Sequence, residues 1–209
     1  MMKIITISRE FGSGGRELGK RLADELGYGY YDREIEASIA ARMDLDADYV
    51  VQALEKKLLL DIPLHFGRTL ANSYGMRQQV DILVEKQKVL KEIAKAGPCV
   101  IVGRAADLIL EEYQPFKVFV YAGMEYKIKR CQSYGEMGEN LSRREMEKEI
   151  RKVDSGRAQY RRLFFDSAWD NKSQYHLCIN TTGMEIKQMV PALAAYSLCW
   201  FAHSGSPGR

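Results

Sequence analysis

Lys3-Ile4-Ile5-Thr6-Ile7-Ser8-Arg9-Glu10-Phe11-Gly12-Ser13-Gly14-Gly15-Arg16-Glu17-Leu18 runs from an apolar, β-branched stretch through a glycine cluster into a polar segment. Lys3 to Ser8 suits a strand buried on both faces. Beyond the glycines, Leu18, Leu22 and Leu26 recur every four residues and lay one apolar stripe along a helix. Gly27 ends that helix. A glycine loop between such a strand and helix has a physical use. Without Cβ atoms the backbone folds tightly and turns successive N–H groups toward one anion. The helix starting near Gly15 adds the positive end of its dipole. At the carboxyl end of a first strand, this is where open α/β sheets bind ligands. A glycine-rich turn without a ligand is the plainer alternative.

The familiar phosphate-loop pattern is G-x-x-x-x-G-K-[ST]. In the register Glu10 to Glu17, Gly15 takes the second glycine, Arg16 the lysine and Glu17 the hydroxyl residue, while Glu10 stands at the first glycine. Arg16 can hold phosphate oxygens bidentately but is larger and planar. Glu17 removes the usual Mg²⁺ ligand, for which Ser13 or Ser8 are the available hydroxyls. Gly12, Ser13, Gly14, Gly15, Arg16 and Glu17 are thus the candidate phosphate-binding residues.

Outward from the loop, Tyr28 to Tyr31 reads as a second short strand. Residues 33–97 are mainly helical in pattern, with a loop expected over 61–76 where Pro63, Gly67, Asn72 and Gly75 fall. A long amphipathic helix then ends at Gly97-Pro98. The α/β rhythm resumes with strands at Cys99–Val102, Lys117–Tyr121 and His176–Asn180. Between them lie helices to Leu110, over Tyr126–Tyr134 and over Arg143–Arg162, and a last helix starts near Glu185. The expected fold is α/β, a P-loop NTPase fold with a parallel sheet covered by helices on both faces. One domain over 1–203 is expected, carrying a helical insertion (33–97), a lid (about 135–170) and a loose tail (204–209).

Composition narrows the function classes. With 46% hydrophobic and 28% charged residues, the chain reads as an ordinary globular protein. A net charge of +3 is too small to demand a nucleic-acid partner. No apolar run reaches the roughly 20 residues that span a bilayer; Met189–Ala202 is interrupted by Pro191 and Ser197. Four scattered cysteines, three in apolar runs, read as buried free thiols in a reducing cytoplasm. His65, His176 and His203 lack ligand spacing, so a protein metal cluster is not expected.

Five blocks together resemble the cytidylate kinase-like family of bacterial proteins. They are Ile5 to Arg16, Tyr30-Tyr31-Asp32, Val100-Ile101-Val102-Gly103-Arg104, Val153 to Tyr160 and Leu177 to Thr181. They fall in order over nearly the whole chain. The resemblance implies a P-loop fold, ATP-dependent phosphotransfer to a nucleoside monophosphate with Mg²⁺, and a mobile lid. It makes Asp32 and Arg104 acceptor-binding residues, with an N-cap the plainer reading of Asp32 and an ion pair to Asp107 that of Arg104.

On the Arg143–Arg162 helix, Arg151, Asp154, Arg157 and Arg161 share a broad face by spacing. Met146, Ile150, Val153 and Phe164 run along another. Arginines on a lid stabilise the charge of a transferring phosphoryl group. Arg16, Arg157 and Arg161 are therefore the catalytic candidates, with Asp154 orienting them. Two alternatives stay open: a nucleotide-binding regulator that kept the fold and lost the reaction, with a homodimer through the inserted helices, and a kinase for another small acceptor.

Overall fold

β-branched runs with no polar face can be satisfied only by burial on both sides. In the computed structural model, which describes residues 2–55, 69–134 and 141–204, they are buried in that way. The chain divides into two compact units, Met1–Asp32 with Ala94–Arg209, and Arg33–Ile93.

The first unit holds a sheet of five strands among the described residues. They are β1 (Ile4–Arg9), β2 (Gly29–Tyr31), β3 (Cys99–Val102), β4 (Phe116–Tyr121) and β5 (Leu177–Asn180), in the order β2-β3-β1-β4-β5. Every pairing is parallel, with Ile5 opposite Val100 on one side of β1 and Phe116 on the other. Alternation assigns the two faces. Ile5, Ile7, Val100, Val102, Val118 and Val120 point to a core shared with Leu18 and Leu22 of α1 (Gly15–Leu26) and Leu193 of α8 (Ile186–Ser204). Phe119, of opposite parity in β4, meets Trp169, Tyr175 and Ala158 of α7 (Arg143–Phe165) on the other face. At the end of α7, Met146 and Ile150 form a smaller core with Ile128 and Cys131 of α6 (Met124–Tyr134). Ser142 starts α7 with a capping box, its hydroxyl accepting from Glu145 N while Glu145 reaches back to Ser142 N.

The second unit contains α2 (Glu34–Met43), α3 (Ala47–Glu55) and most of α4 (Thr69–Ala96). Ile35, Ile39, Val50, Ile82 and Leu90 are buried in it, and Arg42 of α2 pairs with Glu85 and Glu92 of α4. The loop expected over 61–76 is corrected in part, because α4 already begins at Thr69. Asn72 and Gly75 lower helix propensity, Gly by about 1 kcal/mol, which a helix this long absorbs. Residues 61–68 lie outside the described residues, as do 135–140 of the expected lid and 205–209 of the expected tail; Ser204 closes α8. The short helix before Leu110 is α5 (Ala106–Ile109).

Among the described residues no helix is long and apolar enough to cross a membrane. All four cysteines are free, but burial holds for Cys99 and Cys131 only; Cys178 is half-buried and Cys199 exposed, since α8 turns that side outward.

Candidate functional site

β1 ends at Arg9 on the carboxyl edge of the sheet, and the glycine loop follows. Two left-handed turns shape the loop, at Gly12 (φ 72°) and Gly14 (φ 81°). Side chains are excluded there for a second reason. A Cβ on Gly12 would stand 2.9 Å from Cys131 Sγ, and one on Gly14 would stand 2.8 Å from Ile186 Cδ1. The first helical hydrogen bond of α1 runs from Leu18 N to Gly14 O at 2.9 Å. The amides of Gly15, Arg16 and Glu17 therefore precede the helical ladder, at the positive end of its dipole.

Three anchors hold this loop. Glu10 N donates to Val120 O at 2.9 Å, and Thr181 Oγ1 donates to Ser13 O at 2.7 Å. The third comes from α7, where Asp154 Oδ1 accepts from Phe11 N at 2.7 Å. The same oxygen accepts from Arg157 Nη1 at 3.2 Å, and Arg157 Nη1 also donates to Arg9 O at 3.0 Å. Lys127 Nζ joins Asp154 Oδ2 (3.3 Å) to Glu10 Oε2 (3.1 Å). Burial pushes the Asp154 carboxyl above its ordinary range, with the Phe11 amide, Arg157 and Lys127 only partly offsetting it.

Beside the loop is a second constellation, centred on Asp32 at the end of β2. Its Oδ2 is 2.5 Å from Arg16 Nε, and its Oδ1 is 3.8 Å from both Arg9 Nη2 and Arg104 Nη2. Arg104 follows β3 in a left-handed pair with Ala105 (φ 63° and 53°), a conformation uncommon for residues with side chains. The carboxyl ends of β1, β2 and β3 thus converge on one carboxylate that three guanidiniums face.

Glu17, on the first turn of α1, is bound by Arg130 at 2.5 Å and Arg21 at 2.8 Å. Burial opposes its ionisation, but the hydrogen bonds from Arg130 and Arg21 outweigh it and hold the carboxyl below its ordinary range.

The nominated residues thus fall into groups. Gly12 to Glu17 form the loop, and Asp154 and Arg157 of α7 reach it. Asp32, Arg104 and Arg16 meet beside it, so the plainer reading of Arg104 as a partner of Asp107 is corrected. Asp107 instead pairs with Arg161, whose Nη1 lies 2.8 and 2.7 Å from its two carboxylate oxygens and whose Nη2 donates to Ser167 and Gln174. Arg161 is therefore buried in a hydrogen-bonded network with Asp107, Ser167 and Gln174. Arg151, exposed, pairs with Glu147 one turn away. Sequence reasoning missed Arg9, Lys127, Glu10 and Arg130 as site residues. Arg9 stood in the quoted run, but a lone arginine at a strand end carries no spacing signal.

The position of the usual Mg²⁺ ligand, Glu17, is already engaged and offers no free oxygen donor. Glu17 is bound to two arginines, and the Ser13 hydroxyl donates to Glu10 O at 2.8 Å. Among the described residues no three His, Cys, Asp or Glu side chains gather as a metal site.

Residues 4–183 match the sequence profile of the cytidylate kinase-like family. No curated protein matches the chain. Among solved structures, an uncharacterized protein from Eubacterium ventriosum is 20% identical, with a TM-score of 0.68 over 94% of this chain and 98% of that one. A shikimate kinase from Acinetobacter baumannii, determined with shikimate, is 13% identical with a TM-score of 0.52, covering 95% of this chain and 94% of that one. A gluconokinase from Sinorhizobium meliloti is also 13% identical with a TM-score of 0.52, covering 97% and 94%. At these identities the likeness is one of fold, that of the P-loop kinases.

Proposed function

The chain belongs to the cytidylate kinase-like family, and from that premise we propose that it is an ATP-dependent phosphotransferase whose acceptor is a nucleoside monophosphate. One observation carries the reading. A glycine loop at a helix N-terminus lies beside a carboxyl edge where Arg9, Arg16 and Arg104 face Asp32. An amide cradle for one phosphate and a guanidinium cluster for another are what transfer between two phosphorylated molecules needs.

In this reading the amides of Gly12 to Glu17 receive the donor's β- and γ-phosphates. Arg104 orients the acceptor phosphate, and Arg157, from the α7 lid, faces the transferring group with Asp154 fixing its guanidinium. Arg16 sits between the two phosphates. No covalent enzyme intermediate forms; positioning and charge neutralisation lower the barrier. Any Mg²⁺ would arrive on the nucleotide's own phosphates, and no protein step depends on it. Four free cysteines support a cytoplasmic setting.

An ADP-release assay across the nucleoside monophosphates tests the proposal. The expected result is turnover with one or a few of them; nucleotide binding without turnover on any would sink it. A second reading, a nucleotide binder that has lost the reaction, is favoured by one observation. Arg16, at the lysine position, is held 2.5 Å from Asp32, and Glu17, at the hydroxyl position, is held by Arg130. Under that reading the wild type binds ATP silently, and Arg16→Lys with Glu17→Ser together gives turnover.

A further inference from the structure

We propose that Asp107 and Arg161 are positioning residues, whose buried ion pair holds Arg104 in the backbone conformation from which it meets the acceptor. The inference rests on the phosphotransferase reading and adds to it the pair that fixes one of its binding residues. Gly103, Arg104 and Ala105 have positive φ in succession, at 78°, 63° and 53°. Only the first is a glycine. A left-handed backbone costs a residue with a side chain conformational energy, and two such residues in a row persist only where the surroundings over-determine them. That conformation turns the chain out of β3 and leaves Arg104 Nη2 3.8 Å from Asp32 Oδ1.

The turn does not hold itself. Its closing bond runs from Ala106 N to Gly103 O at 3.1 Å, and α5 beyond it is a single turn with no side-chain bond at its N-cap. A helix that short has no stability of its own. Burial of Ala106 and Leu110 favours docking but carries no direction. Direction comes from two anchors. Gly103 N donates to Ile7 O at 2.9 Å, which ties the start of the turn to β1. Asp107, on the first turn of α5, takes Arg161 Nη1 on both carboxylate oxygens, at 2.8 and 2.7 Å, which ties the far end to α7. Arg161 is fixed in turn by Ser167 and Gln174, at 3.1 and 3.2 Å, and these two bond each other at 2.6 Å. A buried ion pair adds little net stability over an apolar pair of the same volume, so what it contributes here is orientation. One turn earlier on α7, Arg157 donates to Arg9 O. The same helix thus fixes the chain at the end of β1 and just past β3.

Calorimetry on the full chain at low temperature would measure ATP alone, then CMP and inorganic phosphate with ADP saturating the loop. Asp107→Asn keeps the shape and removes the charge. It is expected to weaken CMP and phosphate by about tenfold, as when the competent turn is populated in about a tenth of the molecules, and to leave ATP within about twofold. Ala105→Gly added to it opens the left-handed conformation without a side-chain penalty and should regain part of the loss. A pair that served stability alone would lower the Tm of Asp107→Asn and leave CMP and phosphate affinity unchanged. That result, or a loss that Ala105→Gly does not reduce, overturns the proposal. Should Asp107→Asn not fold, Ser167→Ala removes one partner of Arg161, leaves the charges paired and should give the same pattern at smaller size; unchanged CMP and phosphate affinity there overturns the proposal equally. Amide exchange at Ala106 and Leu108 reads the turn without an acceptor, and Asp107→Asn should speed it. Faster exchange in the variant, with a wild type that binds neither CMP nor phosphate, keeps the positioning role and removes the acceptor reading. Unchanged exchange overturns the proposal whatever the chain binds.

Discussion

Asp154 joins three groups: the Phe11 amide, the Arg157 guanidinium and the Lys127 ammonium. Its spacing from Arg157 was legible in the sequence, but its bond to a residue 143 positions away was not, because contacts at that distance leave no local pattern. The carboxyl is raised above its ordinary range, chiefly by burial. The native chain therefore binds this proton more tightly than the unfolded chain does. On its own, the group lowers stability as pH climbs from its unfolded value through its native one. For function the same shift means that the loop anchor is released on acidification, at a pH above the ordinary aspartate range. ATP affinity followed from about pH 8 down to about pH 5 should fall along an acid limb starting above that range. Asp154→Asn should give weak affinity with that limb gone; an unchanged limb in the variant would assign it to another group.

At the scale of elements, β1, α1, β3, β4 and α8 were readable because each carries its own signal: an apolar run, a four-residue leucine stripe or a glycine stop. What an element meets was less readable. The spacing of α7 put Arg151, Asp154, Arg157 and Arg161 on one face, yet that face crosses three surroundings along its length. Arg151 meets water and Glu147, Asp154 and Arg157 meet the loop, and Arg161 meets Asp107 of α5 beneath the sheet edge. Arg161 and Asp107 are 3% and 2% exposed, so removing one partner strands a buried charge. Asp107→Ala should cost about 3–5 kcal/mol in denaturant unfolding. Asp107→Leu with Arg161→Met should cost much less than the single change, because the apolar pair leaves no orphan charge. ATP affinity of the double variant measured at low temperature should stay near wild type; a large loss would return Arg161 to the nucleotide site.

For the whole molecule, strand order decides where charge gathers. Chain leaving β1 turns toward β2 and β3, while chain leaving β4 turns toward β5, so the glycine loop opens at the crevice where direction reverses. The same order brings the ends of β1, β2 and β3 side by side, which puts Arg9, Asp32 and Arg104 together although 95 residues separate the outer two by number (104 − 9). A chain whose net charge is only +3 thereby concentrates arginines at one edge. That concentration bears on metal dependence. In the familiar loop, a hydroxyl holds Mg²⁺ and the ion neutralises the phosphates. In the proposed reading Glu17, tied to Arg130 and Arg21, stands in place of the hydroxyl, and Arg16, Arg157 and the α1 amides supply the positive charge directly. Replacing Mg²⁺ by EDTA in an ATP titration should therefore change the dissociation constant by less than about tenfold, or 1.4 kcal/mol. Glu17→Ser removes the carboxylate, frees Arg130 and restores a hydroxyl ligand, so the Mg²⁺ effect on ATP affinity should grow. Wild-type binding that vanishes in EDTA would mean that the arginines do not carry the phosphate charge, and that the ion has a protein ligand after all.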